Sequence, residues 1–239
     1  MTLGCLYWVV KSMLLVRVSM SALLCIALLR PATRAFRTPA GRQVARWVRT
    51  TSDSKASRSD ASASLVFIKN TQKKYLIEVE KVKARVIAIK RVLGVSDFKV
   101  DIWFCSEEKI RELNADWREV NKSTDVLSFP ANDFKKPGVF DSDENQRHLG
   151  DIVISPAYVQ RQCDRDKLDF ESRTLINSED RGVSLAMSTT FSLEERISLL
   201  LVHSMVHLLG YDHETVKDWK IMTKKEDEVL KSLHENGGI

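Results

Sequence analysis

Three of the five histidines in this 239-residue chain stand within eleven residues, His203-Ser-Met-Val-His207-Leu-Leu-Gly210-Tyr-Asp-His213. Residues four apart on a helix share one face, one turn apart. His203 and His207 can therefore bring two imidazole nitrogens to one ion at about 2.0–2.1 Å. Gly210 is free to adopt the left-handed conformation that stops a helix, and the returning chain then offers His213 as a third ligand. Three protein ligands leave a fourth tetrahedral position open to water, which is the catalytic rather than the structural arrangement of zinc. One Zn2+ per chain is the default ion for such an imidazole set.

The residue after the first histidine separates reaction classes. Zinc peptidases of the H-E-x-x-H type carry a glutamate there as general base; this chain carries Ser204, which cannot take that role. The nearby acids Asp212 and Glu214 are candidates for orienting a water or a histidine. A second stretch runs from Trp117-Arg118 to Thr124-Asp125-Val-Leu-Ser-Phe129. Arg118 can fork bidentately onto a phosphate, although spacing alone reads it as one solvated arginine among 37 basic residues. Asp125 and Asp151 read as strand-end acids that cap or orient. The four cysteines (Cys5, Cys25, Cys105 and Cys163) are scattered and form no C-x-x-C. They indicate neither a disulfide framework nor a thiolate site, and the last two read as buried, unpaired thiols.

The elements that must position these groups follow from periodicity. Leu65–Asn70, Phe98–Phe104, Val126–Phe129 and Gly150–Ser155 read as four strands, short and rich in Val, Ile and Phe. Thr71–Leu93 repeats apolar residues at helical spacing (Leu76, Val79, Val82, Val86, Ile87, Val92) and stops at Gly94. Ser106, followed by Glu107 and Glu108, caps a short helix, and Pro156 suits the first turn of another. Residues 131–148 and 170–191 read as loops. A helix over about 193–209 carries the first two histidines, opened by a Ser192–Glu195 capping box. An amphipathic helix, Glu214–Glu235, closes the chain, with Val216, Trp219, Met222, Val229, Leu230 and Leu233 on its apolar side. Interleaved strands and helices give an α+β (mixed α/β) fold: one small domain with a mostly four-stranded sheet packed by helices.

Charge divides the chain. Residues 1–60 hold ten Lys+Arg against two acids, a net +8, whereas the remaining residues carry a net −3 of the overall +5. The folded part thus lacks a domain-wide basic footprint for nucleic acid, and RNA contact has to come from a local patch. The first sixty residues are arginine-rich, serine-rich and acid-poor, as organellar transit peptides are. They also contain a short apolar core, Ser19–Leu29, followed by Thr33-Arg34-Ala35-Phe36. That layout is similar to the bipartite leader of secondary plastids, favoured slightly over a mitochondrial presequence. The apolar run is too short to span a bilayer. The expected organisation is a targeting leader over 1–60, a folded body over 61–239, and no stable membrane span in the mature protein.

Together, HSMVHLLGYDH, LNADWREVNKSTDVLSFP and LGDIVIS resemble, in this chain order, the three signatures of the YbeY family. Those proteins are single-strand-specific zinc endoribonucleases of ribosomal RNA maturation. The resemblance covers about 65–236 and implies zinc on His203, His207 and His213 and a functional role for Arg118. It also implies a cleft open to RNA, with ribosomal RNA and the small ribosomal subunit as partners. Two features depart from the family pattern. Ser204 replaces a usual glycine and stands where it could crowd the cleft, and 170–191 is longer than in bacterial members. Two other functions compete: a metzincin-like metallopeptidase, whose H-x3-H-x2-G-x2-H spacing is the same, and a non-catalytic ribosome-assembly factor with structural zinc.

Overall fold

The computed structural model describes residues 65–140, 147–172 and 185–236. Within them, four strands form one mixed sheet: β1 (Val66–Asn70), β2 (Lys99–Phe104), β3 (Val126–Pro130) and β4 (His148–Ile154). The sheet order is β1-β2-β4-β3. β1 and β4 flank β2 in parallel, and β3 runs antiparallel to β4 along the outer edge. The α+β expectation and its four-stranded sheet hold.

Helices cover both sheet faces. α1 (Val79–Val92), α3 (Pro156–Glu171), α5 (Leu193–Leu208) and α6 (Val216–Glu235) pack on one of them. Val86, Val159, Leu200, Leu201, Met205, Val229 and Leu233 from these helices share a core with Val100, Ile102, Phe104 and Ile152 of the sheet. α2 (Glu107–Arg118) covers the other face, where Ile110 and Leu113 meet Trp103, Leu127 and Val153. The alternate residues of β2 are thus buried on both sides, as expected of a central strand with helices above and below. A short helix, α4 (Leu185–Ser188), precedes α5.

Local chemistry corrects four expectations. The first helix starts at Val79, not Thr71. The Gln72 side chain accepts hydrogen bonds from the amides of Lys74 and Tyr75, and Thr71 N–H extends the sheet ladder to Phe104 O. These bonds commit the segment to a turn and leave Leu76 90% exposed. Ser192 opens α5 without a side-chain cap; Arg196 instead ties that end down through Thr190 O and Asp166. Segment 170–191 is not all loop: α3 runs to Glu171, and α4 buries Met187 beside the core, while 173–184 lie outside the described residues. His148, expected in a loop, opens β4. Ser106 does cap α2, accepting from Lys109 N–H, and Pro156 occupies the first turn of α3. The leader expected over 1–60 lies outside the described residues.

Candidate metal centre

Beyond its acidic first turn α5 is buried nearly all round because it passes through the core, and only the side carrying Leu199, His203 and His207 is partly open. Gly210 follows with φ +82° and turns the chain back. A Cβ there would meet Phe134 Cβ at 2.6 Å and its ring at 2.7 Å, so the position needs glycine for both conformation and space. The turn brings His213 beside the helix. Its ring lies 5.6 Å from that of His203 and 5.0 Å from that of His207, centroid to centroid. One ligand nitrogen from each of the three falls within 4.8 Å of the others.

The hydrogen bonds fix which nitrogen each imidazole presents. His203 Nδ1 lies 2.7 Å from Glu226 Oε1, and His207 Nδ1 lies 2.9 Å from the backbone oxygen of Tyr211. Both partners only accept, so both Nδ1 atoms carry the proton and both Nε2 atoms present lone pairs. Those two Nε2 atoms stand 3.2 Å apart. Two lone pairs at that distance do not hydrogen-bond. However, about 3.3 Å is the edge of a tetrahedron with 2.0–2.1 Å metal–nitrogen bonds. The donor set therefore fits a divalent metal ion that takes imidazole ligands. Burial, and then the neighbouring imidazoles, hold His207 well below the ordinary histidine range; burial and His203 lower His213. The neutral form that binds metal is the form this site favours.

Glu226 is a site residue that periodicity did not single out. It lies on α6, 6% exposed, in the buried row Met222, Glu226, Val229, Leu233. An acid in an apolar row was the available signal, because a buried carboxylate needs a partner. Val216, expected on the apolar side of the same helix, is 73% exposed.

Arg118 ends α2, and Glu119 beyond it takes a left-handed cap (φ 59°). Crowding by surrounding atoms lowers the guanidinium pKa, against Asp125 and Asp212, which hold it up; its charge in turn depresses His207. The fold thus brings Arg118 into electrostatic reach of His207, far along the chain. Asp125 caps the start of β3, its carboxylate accepting from Val126 N–H and Thr124 Oγ1. Asp212 accepts from His213 N–H and so orients the backbone of a histidine, as expected. Asp151 lies elsewhere, in a cluster with Asp101 and His148. Ser204 does not crowd the cleft: it is fully buried in the interior. Cys105 and Cys163 are buried free thiols, and burial pushes Cys105 up to about 12. They supply no thiolate here.

A family model described as Endoribonuclease YbeY matches residues 67–178 and 175–234. The break between the two stretches falls inside 170–191. Endoribonuclease YbeY of Acetivibrio thermocellus is 35% identical over 179 residues, covering 71% of this chain and 96% of that protein. The protein of the same name from Thermoanaerobacter sp. (strain X514) is 34% identical over 161 residues, 65% of this chain and 86% of that one. The solution structure of TM1509 from Thermotoga maritima aligns with 72% of this chain and 94% of its own, at 19% identity and TM-score 0.37.

Proposed function

This chain belongs to the YbeY endoribonuclease family, and on that premise we propose that it is a zinc-dependent, single-strand-specific endoribonuclease acting in ribosomal RNA maturation. The observation that carries the metal-dependent reading is the pair of Nε2 lone pairs facing each other at 3.2 Å, each fixed by a hydrogen bond at the opposite ring nitrogen. In a three-imidazole site zinc supplies a Lewis acid and a water acidic enough to ionise near neutral pH. The chain's own groups do the rest. Glu226 and Tyr211 O hold His203 and His207 in the ligating tautomer. Asp212 orients the backbone of His213. Arg118 places a fixed positive charge beside the histidines, where a scissile phosphate gains negative charge as its P–O bond is attacked. The nearby Asp125 and Asp212 carboxylates favour the charged form of that guanidinium.

Ser204 speaks against the peptidase alternative, because no carboxylate follows His203 and the serine that does is fully buried. The test uses the purified protein with ribosomal RNA in three conditions: untreated, chelated, and chelated then supplied with zinc. Cleavage that stops with chelator and returns with zinc is expected. Intact RNA throughout, with zinc bound and co-sedimentation with small ribosomal subunits, would replace the nuclease with an assembly factor.

We further propose that residues 1–60 form a targeting leader that delivers a folded body of 61–239 to an organelle, the plastid ahead of the mitochondrion. Its acid-poor, arginine-rich composition supports this. Fluorescence from a fusion of 1–60 to a reporter tests it, and diffuse cytosolic signal would reject it. Among the described residues no helix is long and apolar enough to cross a membrane.

A further inference from the structure

A second group of metal-ligating side chains lies on the sheet face opposite α5. On β2, Asp101 sits between Val100 and Ile102, which join the larger core with α5, so its side chain points to the other face. Its register partner on β4 is Asp151. His148 is three residues before Asp151, and in a regular strand the two would face opposite ways. They do not, because the β2–β4 register slips there: Lys99 pairs with His148 and Val100 with Gly150, leaving Leu149 as an extra residue. That bulge restores both side chains to one face. Gly150 makes it possible with φ +137°, and a Cβ at that position would fall 2.1 Å from Phe129 O.

One ligand atom from each of Asp101, His148 and Asp151 lies within 4.8 Å of the others. Asp101 is 3% and Asp151 5% exposed. Asp101 Oδ2 meets His148 Nε2 and Lys99 Nζ, each at 3.0 Å. Asp101 Oδ1 is buried and has no hydrogen-bond partner. A buried carboxylate with an idle oxygen, beside a second buried carboxylate, is unfavourable unless a cation completes it. Lys99 Nζ offsets part of the charge on Asp101 through Oδ2 and leaves Oδ1 without a donor. His148 is 29% exposed in its side chain and opens the group to solvent.

We propose that Asp101, His148 and Asp151 form a second cation site, separate from the three histidines. Two carboxylates and one imidazole suit a divalent first-row ion that accepts mixed oxygen and nitrogen donors, such as Mn(II) or Zn(II). Its place across β2 and β4, on the far face from α5, makes it a brace for the sheet rather than part of the reaction. The inference does not depend on RNA cleavage.

The test is Mn(II) binding to the chelator-stripped full chain, followed by electron paramagnetic resonance and thermal melting. Two ions per chain are expected for the parent and one for His148→Gln, with affinity at the altered site weakened more than about 100-fold, beyond what loss of an outer-shell partner costs. His207→Ala should retain one ion, and His207→Ala/His148→Gln none. In the His207→Ala background, Asp101→Asn, which keeps the side-chain shape, should lose the remaining Mn(II)-dependent rise in melting temperature without a lower melting temperature in chelator. A single ion in the parent that vanishes in His207→Ala would overturn the proposal. Equal Mn(II) binding by His207→Ala with and without His148→Gln would also overturn it.

Discussion

The histidines work as ligands because of what holds the other side of each ring. Glu226 accepts from His203 Nδ1, which fixes the tautomer and strengthens Nε2 as a donor to metal. Outer-shell carboxylates of this kind are worth about 10–100-fold in metal affinity. Glu226→Gln should weaken zinc binding by that factor in competition with a chromophoric chelator, and unchanged affinity would remove the carboxylate from the site. Arg118→Ala should keep the zinc yet slow RNA cleavage by about 10²–10³-fold, the cost of one lost charge-stabilising donor; parent-rate cleavage would show that the arginine is not used. At this scale the three histidines were legible, because a 4-then-6 spacing with glycine between is a geometric statement about ligands. Glu226 was not, since on an amphipathic helix full of acids only its phase marked it. Arg118 was legible only through resemblance: a single arginine in a charged stretch carries no sign of which distant residues it will face.

Among the elements, composition and periodicity identified all four strands and the helices α1, α5 and α6, since burial on the core side imposes the pattern, whereas α3 was marked only by Pro156 in its first turn. Periodicity failed where short-range hydrogen bonds decide. Gln72 turns a helix-patterned segment away from the helix, and Ser192 leaves its capping role to the Arg196 ties. The Asp101–His148–Asp151 group was invisible for a related reason. A strand with strict alternation separates residues three apart, and only the bulge brings them together. The bulge also sets the β3–β4 edge, which carries the Leu127 and Phe129 contacts under α2. Gly150→Ala would drive a Cβ into Phe129 O and Ala131 N. It should cost more than about 4 kcal/mol, as is exceptional for one added methyl group. Denaturant unfolding would measure this, and a loss under about 1 kcal/mol would mean that the strand pair shifts to accommodate it.

For the molecule as a whole, the centre lies where α5, α6 and the chain after Gly210 converge, so an ion bound there is linked to the folding of all three. An ion at 100 times its dissociation constant adds about 2.7 kcal/mol to stability, and each kcal/mol shifts the midpoint by roughly 2–4 °C in a domain of this size. Adding a chelator should therefore lower the melting temperature by several degrees, and the drop should be smaller in His207→Ala, where only the second site remains; an undiminished drop in that variant would place the stabilising ion elsewhere. The fold class was readable because interleaved strands and helices leave few architectures. How the elements converge was not, because it depends on long-range packing that no local pattern records. Glu226 gives that convergence an order in time. It belongs to a helix made after all three ligands, twenty-three residues after the first histidine it serves. A growing chain can display His203, His207 and His213 before α6 exists, but in that state it holds its ion about 10–100-fold more weakly. Metal acquisition thus doubles as a check that α6 has been made: a chain cut short before Glu226 carries every ligand and still loads poorly.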